Sequence, residues 1–177
     1  IHQHPELGLA ETRTSSLIAE RLTAWGYEVH LGLAKTGIVA QLRRGNGTRR
    51  LGLRAEMDAL PIQEATGRQW ASKHDGIMHA CGHDGHTAML MAAARYLAEH
   101  GQFSGVLQLI FQPAEEHPGG AKIMIDEGLF ERFPCDAIFA MHNMPGVDQG
   151  HLVFREGAMM ASSDDVTITL HGHGGHG

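Results

Sequence analysis

Stretches in which apolar residues recur at helical spacing alternate along this chain with short apolar runs, and the alternation predicts helices between strands. A helix is expected over residues 5–25, because Pro5 fits a first helical turn, Glu6 suits its positive end and Gly26 supplies a cap. Residues 27–31 and 37–42 read as strands, and the short apolar run 51–55 as a buried one. A long polar loop covers residues 56–82. Ala, Met and Leu then fill a helix over about 84–99, ended by Gly101. Residues 106–111 form a strand stopped by Pro113, 121–130 a helix, 137–141 a strand, and 152–155 and 166–170 two further strands. Gly45-Asn46-Gly47, flanked by Arg43-Arg44 and Arg49-Arg50, reads as a solvated hairpin turn. No internal repeat is visible. The order of elements implies an α/β fold, a mixed sheet with helices on both faces.

The bulk numbers narrow the classes of function. A chain of 177 residues can bury a real core, and 42% apolar with 19% charged residues is the composition of a soluble globular protein. The net charge of −6 leaves no basic patch for a phosphate backbone, so no nucleic-acid partner is expected. No apolar run approaches the roughly 20 residues of a membrane span, so no membrane association is expected. No signal peptide is visible, although the chain starts at Ile1 rather than Met. Two cysteines in different contexts do not resemble a disulfide framework, and a reducing cytoplasm is the expected location. Cys135, after Pro134 and before an apolar run, reads as a buried small residue.

Histidine and glycine change that picture. There are 14 His and 23 Gly, and both are dense in residues 78–87 and 171–177, which hold six of each. Met78-His-Ala-Cys81-Gly-His83-Asp-Gly-His86-Thr87 sets a thiolate and an imidazole two residues apart, a donor pair suited to zinc, manganese, cobalt or nickel. Glu56 and Asp58 follow one expected strand, Glu115 and Glu116 a second, and His142 a third. In open α/β sheets, sites form beyond the carboxyl ends of strands, so four separate segments deliver metal-type side chains to one edge. Cys81 and His83 are read as ligands in preference to a buried thiol and a helix-capping imidazole. Of the adjacent Glu115 and Glu116, one can bind metal while the other faces the attacking water as base, provided they point apart as extended residues do; the alternative is a charged pair at a helix start. His142 is expected to be buried, and so to need a partner. Asp58 is read as a carboxylate that orients an imidazole. His79 and His86 are weaker candidates, and His86, one helical turn after His83, is expected to pack or hydrogen-bond nearby. His2 and His4 suit a surface or a cleft rim equally, and His74 and His117 read as solvated. The His-rich end, 171–177, admits a flexible metal-binding tail, but the strand-like run before it argues for folded chain.

His2-Gln-His4-Pro5-Glu6-Leu7, Arg54-Ala-Glu56-Met-Asp58-Ala-Leu-Pro61-Ile62, the Cys81–His86 cluster, Phe111-Gln-Pro-Ala-Glu115-Glu116, His142-Asn143-Met-Pro145 and Gly172-His-Gly-Gly-His176-Gly177 together resemble the peptidase M20 amidohydrolases. The nearest branch holds hippurate hydrolases, N-acyl-amino-acid amidohydrolases and auxin-conjugate hydrolases. The resemblance implies a zinc-peptidase-like catalytic domain and a centre of two divalent metal ions (Mn, Zn, Co or Ni). Cys81 would bridge them, with His83, Glu116 and His142 as further ligands and Glu115 as general base. His176 would lie on a lid and dimerisation domain and reach a partner subunit's site to stabilise the oxyanion. The implied activity is hydrolysis of the amide bond of small N-acyl amino acids by metal-activated water, in a homodimer formed through the lid. A diaminopimelate-type deacetylase and a non-catalytic metal-binding paralogue are the alternatives. Where many relatives carry a ligand His in a His-x-Asp motif this chain has Glu56, and the nearest branch usually has Asp there. The resemblance also implies a division into residues 1–163, the N-terminal part of the catalytic domain, and 164–177, the first strand of a smaller α+β lid. On that reading the chain is a fragment of a longer enzyme, inactive by itself.

Overall fold

Five of the apolar runs become strands of one sheet. The computed structural model of the chain describes every residue except Ser163, Asp165 and Gly177. The elements are α1 (Thr12–Ala24), β1 (Glu28–Leu33), β2 (Gly37–Arg44), β3 (Arg50–Glu56), α2 (His83–His100), β4 (Gly105–Gln112), α3 (Gly120–Asp126), α4 (Leu129–Arg132) and β5 (Ala137–Ala140). The sheet order is β1-β2-β4-β3-β5. β1 and β4 flank β2 antiparallel, and β4 and β5 flank β3 parallel, so the sheet is mixed.

Side chains alternate between the faces of a strand, and both faces are covered. On one face Leu107, Leu109 and Phe111 of β4 and Ile38, Ala40 and Leu42 of β2 pack with Ile18 and Leu22 of α1 and Leu90 and Ala94 of α2. On the other, Val39 and Ile110 pack with Met124 of α3 and Leu129 of α4. β4 is buried along its whole length, with Gln108 and Gln112 among its apolar residues. β5, at the sheet's edge, is exposed throughout.

The parallel register matters most for the chemistry. Glu56 pairs with Gln112 and Arg54 with Ala140, so β3, β4 and β5 end side by side and release their following residues at one edge. α2 begins at that same edge, with its N-cap at Gly82 and two of its residues, His83 and His86, buried.

Several expectations need correction. The first helix begins at Thr12 rather than near Pro5. Residues before it run alongside the extension of β3, with Leu7 bridged to Ala59 and the Ala59 N–H donating to Glu6 O at 2.8 Å. Glu6 still meets the positive helix end, but from outside: its carboxylate accepts the N–H groups of Arg13 (2.9 Å) and Thr14 (2.8 Å). The Gly45-Asn46-Gly47 segment is no hairpin, because β4 lies between β2 and β3 and is hydrogen-bonded to both. The helix expected over 121–130 breaks into α3 and α4 at Gly128, which sits at φ 89°, a left-handed conformation that suits glycine. Residues 152–155 and 166–170 carry no strand. Their apolar side chains, Phe154 and Leu170 among them, are exposed, and an alternating pattern without a partner strand makes no ladder.

The chain divides into a unit of residues 1–143 and a second of residues 144–177. The division expected from sequence was at 163/164; of its second part, Asp165 and Gly177 lie outside the described residues. No helix among the described residues is long and apolar enough to cross a membrane.

Candidate metal centre

Beyond the ends of β3, β4 and β5, three sets of donor atoms gather: Cys81, His83 and His142; His83, Glu115 and Glu116; and Glu56, His83 and His86. Within each set the atoms lie within 4.8 Å of one another. His83 belongs to all three. Its Nδ1 donates to the main-chain oxygen of Asp58 (2.9 Å) and to Asp58 Oδ1 (3.0 Å), which leaves Nε2 with its lone pair facing the cluster. Glu115 Oε2 lies 3.8 Å from that Nε2.

Asp58 is buried, and burial works to raise its carboxyl. The hydrogen bond from His83 and the main-chain N–H groups of Glu116 and Glu115 outweigh it and hold Asp58 below the usual carboxylate range. The same pairing raises His83 above the ordinary imidazole value against the opposing effect of its own burial. Asp58 Oδ2 accepts the Glu116 N–H at 3.0 Å, so one carboxylate fixes both an imidazole and the turn that carries the two glutamates.

That turn corrects one step of the sequence reasoning. Glu115 and Glu116 lie in a turn past the end of β4, not in extended chain, so both carboxylates reach His83 instead of pointing apart. His142 also departs from expectation. It is exposed, and its ring is aimed by bonding rather than by burial. Nδ1 donates to the Asn143 carbonyl at 2.7 Å, and Nε2 lies 3.5 Å from Cys81 Sγ.

Cys81 and His83 are separated by Gly82, whose φ of 88° lies in the left-handed region and whose missing side chain leaves room for Asn143: a Cβ there would collide with the Asn143 amide. Burial, a hydrogen bond to Glu116 and the negative charges of Glu116, Glu115 and Glu56 push the Cys81 thiol up to about 12. A thiol, two imidazoles and two carboxylates packed this closely form an anionic pocket whose missing counter-charge is a cation. Cys, His and Glu are the donors that divalent zinc-like ions take. The residues present therefore fit divalent ions of this kind, and the single free lone pair of His83, at Nε2, serves one ion only.

The remaining candidates are placed elsewhere. His79 is buried outside the three sets, with neither ring nitrogen partnered, and burial pushes it down to about 4. His2 bonds Asp84 (2.7 Å), and His4 meets His74 (3.2 Å). His176 belongs to the second unit, exposed in chain without helix or strand. Sequence reasoning gave Arg54 and Asn143 no role, placed Glu56 at the site edge without its imidazole partner, and understated His86. The signal available was the spacing: Glu56 lies two residues before Asp58, and His86 three after His83, so the second carboxylate–imidazole pair repeats the first. A cleft of about 300 Å³ opens at the opposite ends of the strands, beside Arg50, Val106 and Ala137, and holds none of these donors.

The profile of peptidase family M20/M25/M40 matches residues 52–175. A hippurate hydrolase of Campylobacter jejuni is 52% identical over 177 residues, all of this chain and 46% of that protein. A thermostable carboxypeptidase of Saccharolobus solfataricus is 43% identical over 181 residues, again 100% of this chain and 46% of the relative. The chain thus spans about half the length of the curated relatives it matches. Among solved structures, a dinuclear metal-binding peptidase of the M20 family from Bacillus subtilis superposes with a TM-score of 0.76 at 41% identity, over 82% of this chain and 40% of its own.

Proposed function

The chain belongs to peptidase family M20/M25/M40, and on that premise we propose that its site is the centre of a metal-dependent amidohydrolase that cleaves the amide bond of N-acyl amino acids, hippurate-like or N-acetylated. The observation that carries the reading is the convergence on His83 of two donor sets, one through Cys81 and His142 and one through Glu115 and Glu116. Cys81, His83, Glu116 and His142 would hold two divalent ions, manganese, zinc, cobalt or nickel. When bound, such ions lower the pKa of a coordinated water and polarise the carbonyl under attack.

The protein's own groups do the rest. Asp58 holds His83 in the tautomer that presents Nε2. It also anchors the Glu116 N–H, which keeps the neighbouring Glu115 carboxylate at the mouth of the pocket. Glu115 is about two-fifths exposed, open enough to meet a substrate. As general base it takes a proton from the attacking water and delivers it to the leaving nitrogen. His176, brought in by a lid that also forms a homodimer, would donate to the developing oxyanion. A reducing cytoplasm suits the two free cysteines.

The test separates base from ligand in the full-length protein. Glu115→Gln is expected to keep its metal and to lose roughly 10²–10⁴-fold in kcat, the span of a positioned acid–base group. Cys81→Ala is expected to lose metal as well as activity. Elemental analysis and a substrate panel of benzoylglycine, N-acetyl amino acids and dipeptides read both. Metal lost from Glu115→Gln but retained in Glu116→Gln would exchange the two roles, and full activity without divalent metal would end the proposal.

A further inference from the structure

A second carboxylate–imidazole pair lies beneath the site and takes no part in the chemistry proposed above. Arg54 forms an ion pair with Glu56 Oε1 and also donates to Gln112 Oε1 through Nε (2.8 Å) and Nη2 (2.6 Å). Glu56 Oε2 faces His86 Nδ1 at 2.9 Å. His86 Nε2 in turn meets Asn143, at 3.1 Å from the main-chain nitrogen and 2.7 Å from the side-chain Oδ1. A main-chain N–H can only donate, so the imidazole accepts at Nε2, with the Asn143 amide turned to present its Nδ2 rather than Oδ1 to that lone pair, and the His86 Nδ1 carries the proton that goes to Glu56. Thr87 closes the assembly by donating to the Glu56 carbonyl at 2.7 Å.

Glu56, His83 and His86 have the spacing of a cation site, but its occupants argue against one. The guanidinium already neutralises Glu56, and both nitrogens of His86 are hydrogen-bonded. What the pair does reach is the backbone of Asn143, the residue that follows His142. The N–H of Asn143 is held by His86, and its carbonyl accepts His142 Nδ1–H at 2.7 Å. The two rings also pack edge to face, with centroids 4.4 Å apart at 70°. His142 is otherwise exposed on the end of an exposed edge strand, so little besides this contact fixes its direction.

We infer that Arg54, Glu56 and His86 form a positioning relay that acts through the Asn143 backbone to aim His142 Nε2 at Cys81. The inference rests on the reading of His142 as a metal ligand. None of the three is a catalytic residue: each acts through the next, and only His142 would touch the ion. The relay gives the exposed ligand the same kind of support that Asp58 gives the buried one.

The experiment uses the full-length protein loaded with Co²⁺, read by competition with a chelating indicator and by the thiolate-to-Co²⁺ absorption that reports on Cys81. Glu56→Gln and His86→Ala are expected to weaken Co²⁺ binding roughly 10–100-fold, the usual effect of removing a group that orients a ligand, and to shift that absorption. In a His142→Ala background Glu56→Gln should add nothing, because the ligand it aims is gone. Tyr27→Phe serves as the control for destabilisation: it removes a buried hydrogen bond to Ala94 O (2.9 Å) far along α2, and should leave Co²⁺ affinity and spectrum as they are. Wild-type affinity and spectrum in both Glu56→Gln and His86→Ala, beside a clear loss in His142→Ala, would overturn the relay while sparing the site. Undiminished Co²⁺ binding in His142→Ala would overturn both, because the residue being aimed would not be a ligand. Should His86→Ala fail to fold, Glu56→Gln, which preserves shape and loses only charge, decides between the same outcomes.

Discussion

Two buried carboxylates grip the turn that carries Glu115 and Glu116, one from each side, and they live in opposite electrostatic worlds. Asp58 Oδ2 accepts the Glu116 N–H at 3.0 Å, and Glu11 Oε1 accepts the Ala114 N–H at 2.8 Å. Asp58 is 2% exposed and Glu11 0%. The second oxygen of Asp58 faces an imidazole, whereas that of Glu11 accepts from the Thr36 hydroxyl at 2.6 Å. For Asp58 the imidazole and two main-chain N–H groups overcome burial and lower its pKa. For Glu11 burial prevails over its neutral donors and the pKa rises, with the charge of Asp58 adding to the effect. Burial therefore does not decide whether a carboxylate keeps its charge; the partner does. The fold keeps a firm negative charge where an imidazole must be oriented, and only an acceptor where a turn must be held.

The largest expected consequence lies on the Asp58 side. Asp58→Ala removes one of the two acceptors of His83 Nδ1–H and, among the described residues, the side-chain acceptor of the Glu116 N–H. Leaving such groups unpartnered costs about 1–3 kcal/mol, so chemical denaturation of the metal-free protein should show a loss of that order. Metal affinity should fall roughly 10–100-fold. Unchanged metal affinity would show that the main-chain oxygen of Asp58 alone suffices to hold the ring, and the comparison would lose its functional half.

The pH dependence of the metal-free protein separates the two groups by sign. A depressed carboxyl pKa contributes stability that is complete above the unfolded value, about 4, and is lost as pH falls through the folded value. Asp58 is of this kind, so the advantage of wild type over Asp58→Asn should shrink toward acid. A raised carboxyl pKa does the reverse. Glu11 is without cost while protonated in both states below pH about 4, and it reduces stability as pH rises from there through its raised folded pKa. Denaturation midpoints measured between pH 3 and 7 should give difference curves of opposite slope for Asp58→Asn and Glu11→Gln. Parallel slopes would mean that the two carboxylates titrate alike.

These contrasts also mark what the sequence made legible. The five strands that form and α2 lie within a residue or two of their expected bounds, because an apolar run and a stripe of Ala, Met and Leu are direct consequences of burial, whereas the runs 152–155 and 166–170 form no strand. The crowding of Cys81, His83, Glu115, Glu116 and His142 at one edge follows from strands that run parallel, which the alternation of elements implies. Sheet order does not follow, since β4 enters between β2 and β3 through pairings more than fifty residues apart in sequence. Glu6 was readable as a helix-end charge, but not as a cap reaching Thr14 from outside the helix. Glu11 and the Arg54–Glu56–His86 relay were hidden for a shared reason. Each is a local residue whose partner comes from a distant segment, and no spacing within one motif reveals which buried carboxylate meets a cation and which meets a hydroxyl.

The smallest expected effect, Glu11→Gln, tests the comparison most directly because it changes charge with little change of shape. Glutamine keeps Oε1 as acceptor for the Ala114 N–H and offers Nε2 as donor to the Thr36 oxygen, so both existing contacts have a counterpart. What disappears is the ionised form that burial penalises. At neutral pH the variant should be slightly more stable than wild type, by no more than the 2–4 °C in Tm that about 1 kcal/mol gives a domain of this size. The gain should fade as pH drops below about 4, where wild-type Glu11 is protonated in both folded and unfolded chains. Glu11→Leu, by contrast, leaves the buried Ala114 N–H without its acceptor and should be less stable than wild type at every pH. Together the two variants separate the hydrogen bond from the charge. A stability gain in Glu11→Gln that persists unchanged into acid would show that Glu11 carries no penalised charge in the fold, and the distinction drawn between it and Asp58 would then rest on geometry alone.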